Sequence, residues 1–140
     1  MAHETTVKVR FSETDALGHI SSISYFIYLE EARTDFFQEL GLGADIADWK
    51  IILISAQCDF VRQGHFNQRL KIATEVSRLG DSSFMLAHQI TDEKTGELIA
   101  KGEAGAVYFN FKKQKSERLP AELKEKLEKY LGKDKREHKA

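Results

Sequence analysis

From Thr5 to Phe11 the chain alternates, with Val7, Val9 and Phe11 on one face and Thr6, Lys8 and Arg10 on the other. A period of two over this length predicts a half-buried strand. The period then lengthens. Between Ile23 and Leu40 the apolar positions include Tyr25, Leu29, Ala32, Phe36 and Leu40, the stripe of one helix face. Phe26, Ile27 and Tyr28 make the first half of that helix apolar nearly all round, which predicts burial on most sides. Ser21 or Ser22 supplies an N-cap hydroxyl, and Gly41 and Gly43 end the helix. Residues 44–49 read as a connector with room for one short helical turn.

Alternation returns from Lys50 to Arg62, the longest strand candidate. Ile52, Ile54, Ala56, Cys58 and Phe60 share one face, and Ile51, Leu53, Ser55, Gln57 and Asp59 the other. Leu70, Ile72, Thr74 and Val76 begin a further strand. The run from Leu79 to Ser83 is a hairpin signal, and Phe84, Leu86, His88 and Ile90 line up on the strand that follows it. A second turn at Asp92–Gly96 leads into a strand over Glu97–Phe111, where Gly102 and Gly105 mark a bulge or a close backbone approach. Pro120 opens a last helix with Leu119, Leu123 and Leu127 on one stripe, and Gly132 closes it. Strand, long helix, four hairpin-linked strands and short helix predict an α+β fold: an antiparallel sheet of about five strands wrapped around one central helix. Residues 1–132 form one domain on this reading, and 133–140 a charged tail. Such a sheet leaves an edge to protect, and dimerisation is one way to protect it.

The chain has 140 residues and a formal net charge of -1, so bulk charge gives no reason to expect nucleic acid as a partner. From Lys112 onward eleven Lys and Arg face six Asp and Glu; this reads as a solvated helix and tail, or as a steering patch for an anion such as coenzyme A. Cys58 is the one cysteine, so no intrachain disulfide forms. No apolar run is long enough to span a bilayer, and the expected compartment is the cytoplasm, with no membrane partner.

Chemistry concentrates between Phe11 and Arg33. Asp15 and His19 lie four residues apart in a turn just ahead of the long helix. A carboxylate there acts on water as general base or attacks a carbonyl directly. The helix start near Ser22 or Ile23 offers free amides and the positive end of a dipole to an oxyanion. His19 can orient Asp15, bond the carbonyl or move a proton near neutral pH. The plainer reading makes Asp15 a turn former and His19 a turn residue satisfied by backbone. Tyr25 lies on the apolar stripe and reads as core first.

Asp15, Gly18, His19, Ile20, Ser21, Ser22 and Tyr25, followed by Glu30-Glu31-Ala32-Arg33, resemble the D-x-x-G-H-V-N-N-x-x-Y and E-E-A-R motifs of hotdog-fold thioesterases of the 4-hydroxybenzoyl-CoA thioesterase-like superfamily. Cys58–Arg62 and the Leu79–Phe84 hairpin extend the resemblance to about Leu123. It implies an acyl-CoA thioesterase needing no metal or organic cofactor, and a homodimer or tetramer with sheets joined edge to edge. Asp15 and His19 would be catalytic, and Ser21, Ser22, Ile23 and Tyr25 would meet the substrate. Arg62, Arg78, Ser82 and Ser83 would hold coenzyme A. Two positions depart from the pattern. Ser21 and Ser22 replace a pair of asparagines, and Asp81 replaces a basic residue in the hairpin.

The competing readings are a non-catalytic acyl-CoA or acyl-carrier binding module, a thioesterase for acyl-carrier-protein thioesters, and a hotdog hydratase or dehydratase. Glu31, beside the buried half of the helix, is expected to need a partner. Cys58 reads as a small buried hydrophobe and His88 as a satisfied core or interface histidine. No histidine or cysteine spacing supports a metal site.

Overall fold

The computed structural model describes residues 1–42 and 49–132. Most of the expected connector, together with Gly43 and the tail at 133–140, lies outside the described residues. Strand β1 (His3–Lys8) leads through a short 3-10 turn at Phe11–Glu13 into α1 (Ser22–Glu39). Then come β2 (Ile51–Phe60), β3 (Arg69–Leu79), β4 (Ser83–Asp92), β5 (Leu98–Asn110), the two-residue β6 (Lys115–Ser116) and α2 (Ala121–Glu128). The strands pair antiparallel in the order β1-β3-β4-β5-β2, with β6 on β5. The first two strands therefore lie at opposite edges of the sheet. The helix between them has to carry the chain across, and its 18 residues reach roughly 27 Å at the usual rise.

The helical stripe packs as its spacing predicts. Tyr25, Leu29, Ala32, Phe36 and Leu40 are all buried, against Leu70, Ile72, Val76, Leu86, Ile90, Ala100 and Ala106 from the strands. Gly102 is where the layers come closest. A Cβ there would lie 2.6 Å from Leu29 Cδ1, so glycine lets α1 rest directly on the β5 backbone. Leu119, Leu123 and Leu127 bury the stripe of α2, although Pro120 occupies the N-cap rather than the first helical turn. Both hairpin turns form: Gly80 N–H donates to Ser83 O at 2.8 Å, and Asp92 Oδ1 accepts the amides of Lys94 and Thr95.

Four expectations are corrected. First, α1 is covered on one side only: Ile23 is 72% exposed, with Phe26 and Ile27 also open, because a single sheet meets a single helix face. Second, the faces of β2 exchange partway along. Leu53 pairs with Ala106, Ser55 with Gly105 and Ala56 with Ala104, so Ile54 is the extra residue of a bulge. Ile51 and Leu53 share the helix side with Ala56, Cys58 and Phe60, and no unbroken face runs from Ile52 to Phe60. Third, β1 stops at Lys8, and Phe11 leaves the strand for solvent. Fourth, Ser21 is the N-cap residue, but its hydroxyl bonds Ser24 Oγ at 2.8 Å and caps no amide.

Candidate active site

The chain leaves β1 and turns back toward α1 around Glu13. This side chain is buried, only 7% exposed, and it is surrounded by donors. Its Oε1 accepts the Arg10 amide at 2.8 Å and the Tyr28 hydroxyl at 2.9 Å. Its Oε2 accepts Arg10 Nε at 2.9 Å and Nη2 at 2.6 Å. Burial pushes the carboxyl upward, but the bonds from the Arg10 backbone, the Arg10 guanidinium and Tyr28 outweigh it and hold Glu13 below the usual range. The Glu13 carbonyl also accepts the Ser21 amide at 2.9 Å.

Asp15 stands at the next turn, exposed. Its Oδ1 accepts the amides of Leu17 at 2.8 Å and His19 at 3.1 Å, and its own amide donates to His19 O at 2.7 Å. Gly18, at φ +80°, makes the tight return possible. The Leu17 amide, with the His19 amide adding to it, holds the Asp15 carboxyl below its ordinary value against an opposing desolvation. Asp15 is thus both a turn former and an anion at neutral pH.

The turn is braced from the β2–β3 connection. Ile20 N–H donates to Gly64 O and Phe66 N–H to Gly18 O, which sets His19 opposite His65 with ring centroids 5.2 Å apart. Gly64 N–H donates to Tyr25 Oη at 3.1 Å. A Cβ on Gly64 would collide with Ile20 Cδ1, so a larger residue there would have to displace the buried Ile20 side chain.

These elements enclose a pocket of about 250 Å³ with Asp15, His19, Ser22 and Tyr25 on one side and Phe60, Val61 and Arg62 on the other. Ser22 and Ile23 precede Ser24, whose amide bonds Ser21 O at 3.0 Å, so their own N–H groups fall in the unsatisfied first turn of the helix. The described residues thus bring together an anionic carboxylate, an imidazole, a helix start and an apolar wall. Arg62 lies at the rim, 3.5 Å from Glu97 Oε2. Ser21 and Ile23 flank the pocket in sequence, and Ile23 points to solvent.

Arg78, Ser82 and Ser83 are elsewhere. Ser83 pairs with Val107 while Phe60 pairs with Ala100, so the hairpin sits roughly 24 Å along β5 from the pocket. Asp81 there faces α2, with Lys124 Nζ 3.7 Å away. A larger groove of about 620 Å³ runs between β1 and α1. Its lining of Glu4, Glu30, Glu31 and Asp35 repels an anionic carrier, and it holds no base beside a helix start. Glu31 lies exposed on this groove and needs no partner, contrary to expectation.

The remaining candidates behave as core. His88, 2% exposed, shares a bond of 2.9 Å with Thr74 through Nδ1, but its buried Nε2 has no hydrogen-bond partner among the described residues, so it is only half satisfied, contrary to expectation. Burial, then Arg33, pushes its pKa down to about 3. Burial, then Asp59, pushes the Cys58 thiol up to about 11. Among the described residues no three His, Cys, Asp or Glu side chains converge on a metal site, and no helix is long and apolar enough to cross a membrane. Sequence reasoning missed Glu13, Tyr28 and His65 as parts of this region.

Known proteins share this architecture. A "predicted thioesterase" from Bacillus stearothermophilus superposes with a TM-score of 0.88 at 26% identity, over 94% of this chain and 98% of the other. The long-chain acyl-CoA thioesterase FadM of Escherichia coli K12 is 28% identical over 89% of this chain and 96% of its own length. YsmA, an uncharacterized protein of Bacillus subtilis strain 168, is 34% identical over 86% and 82%. The model of the thioesterase-like superfamily matches residues 9–127, nearly the whole path from the end of β1 to α2, and the chain belongs to that family.

Proposed function

We propose that the chain hydrolyses acyl-CoA thioesters, R–CO–S–CoA + H2O giving R–COOH and HS–CoA. The observation that supports it best is Asp15 in one pocket with the first amides of α1, beside a wall of Phe60, Val61 and Tyr25. The free oxygen of Asp15 takes a proton from water as the water adds to the carbonyl, or attacks that carbonyl itself. The amides of Ser22 and Ile23 hold the developing oxyanion. When the C–S bond breaks, the sulfur takes up a proton and leaves as the thiol. His19, which flanks the same pocket, bonds the carbonyl or relays that proton. The apolar wall suits a hydrocarbon acyl group, in line with the long-chain substrate in the name of FadM.

Hydrogen bonds hold Asp15 low, which weakens it as a base while the pocket is open to water. A second copy closing over the pocket removes that water and strengthens the base. The edge strand β2 exposes Leu53, Ile54 and Phe60, with Ile54 at 62%, and favours a homodimer through paired β2 edges. Antiparallel pairing would carry Arg78, Ser82 and Ser83 of one chain toward the pocket of the other, with Arg62 at its rim, to bind coenzyme A. Pairing of two dimers would give a tetramer.

The bonds that Asp15 makes to Leu17 and His19 suit a non-catalytic acyl-CoA binder equally well, and this is the second reading. Free-thiol release over short, medium, long-chain and aryl acyl-CoAs separates the two. Turnover of at least one substrate is expected. Tight binding of acyl-CoA with no thiol released from any would support the binder.

A further inference from the structure

The proposed chemistry needs two parts in register: the carboxylate of Asp15 and the first amides of α1. They belong to different segments. The side-chain bonds of Asp15 stay within its own turn, at Leu17 and His19, and reach nothing on the helix. Glu13 lies two residues earlier, on the chain segment that leads into the Asp15 turn, and it bonds the helix. Its carbonyl receives the Ser21 amide at the helix start, and its Oε1 receives the Tyr28 hydroxyl from the second turn of α1 together with the Arg10 amide from the end of β1.

We propose that Glu13, acting through Tyr28, is a positioning residue that sets the distance between the Asp15 carboxylate and the oxyanion-binding end of α1. The inference rests on the catalytic reading above. Glu13 is walled off from the pocket and does not touch substrate. Only a carboxylate of this length fits the place. Four donor bonds converge on two oxygens, and an ionised carboxylate accepts on both. Glutamine would present an NH2 to either Oε1's or Oε2's donors. Aspartate would fall about one methylene short. The Tyr28 ring is buried against the core, so the hydroxyl reports the position of the helix, not of a free side chain. A network meant only to hold the fold would serve anywhere along α1. This one joins the helix at its start, within two turns of the amides that would bind the oxyanion.

Tyr28→Phe removes a single oxygen and keeps the ring in the core; Glu13→Gln serves as the second variant. Each is expected to lower kcat about tenfold with KM within about twofold, since displacement of reacting groups by a fraction of an ångström has effects of this order. Asp15→Asn combined with Tyr28→Phe should be no slower than Asp15→Asn alone, because Tyr28 acts through Asp15. Amide exchange measured by NMR gives a readout free of activity: the Leu17 and His19 amides should exchange at least about fivefold faster in Tyr28→Phe. Loss of thermal stability with kcat retained, multiplicative losses in the double variant, or unchanged exchange at Leu17 and His19 would each overturn the proposal. If Asp15→Asn keeps full activity, the catalytic role of Asp15 fails separately, and amide exchange still decides whether Glu13 and Tyr28 hold the turn.

Discussion

Asp15 Oδ1 and the Leu17 amide lie 2.8 Å apart, so one oxygen of the candidate base is committed to the turn that carries it. The turn and the chemistry can therefore be separated by substitution. Asparagine keeps an acceptor for Leu17 and loses the charge, whereas alanine loses both. Asp15→Asn should melt close to the parent and lose at least about a hundredfold in kcat. Asp15→Ala should lose the same activity and melt lower. Melting curves and thiol-release assays on both variants check this, and full activity in Asp15→Asn would remove the carboxylate from the mechanism.

His88 ties stability to pH. Its folded pKa, about 3, is below the ordinary value of 6.5 because burial and Arg33 both disfavour the charged form. The unfolded chain therefore takes up a proton near pH 6.5 that the folded chain refuses. Stability is full above that pH and falls as the pH drops toward 3. Between pH 7 and pH 5 the loss is about 2 kcal/mol. Urea denaturation at the two pH values measures it, and His88→Asn, which preserves an acceptor or donor for Thr74, should flatten that difference.

Cys58 should be chemically quiet. With its thiol near 11, alkylation by iodoacetamide at pH 8 should run on the order of a hundredfold slower than that of an ordinary free thiol. Cys58→Ala should retain activity within about twofold, as a substitution outside the working groups does. Loss of turnover in that variant would point to a thiol nucleophile.

The open edge of β2 predicts assembly. Ile54→Glu places a charge on a strand edge that a second copy would cover, at a residue already exposed in one chain. Its sedimentation mass should be half that of the parent, with thiol release lost alongside. An unchanged mass with full turnover would place the contact between copies elsewhere.

Much of this architecture is legible in the sequence, and the failures have physical causes. The stripe through Tyr25, Leu29, Ala32, Phe36 and Leu40 reads correctly because one helix face meets one sheet at the helix's own period. Phe26 and Ile27 read incorrectly because apolar character does not say which surface covers a residue, and one chain offers no second layer. Asp15, His19 and Ser22 converge as expected because they are neighbours in sequence. Glu13 gave no local signal: its partner Tyr28 is fifteen residues away, and a glutamate in a polar turn looks solvated. His65 reaches His19 only through the pairing of two connections, which no periodicity announces.

The bulge at Ile54 has a consequence for how substitutions are tolerated along β2. It resets the phase of the strand. Before it, Ile51 and Leu53 face the helix, so the odd-numbered positions are the constrained ones; after it, Ala56, Cys58 and Phe60 make the even-numbered positions constrained. A saturation scan of residues 51–60 should show two combs of intolerance offset by one residue, meeting at Ile54. Removing that single residue would merge the two combs into one, because Leu53 and Ala56 would then stand two positions apart and keep the faces they have now.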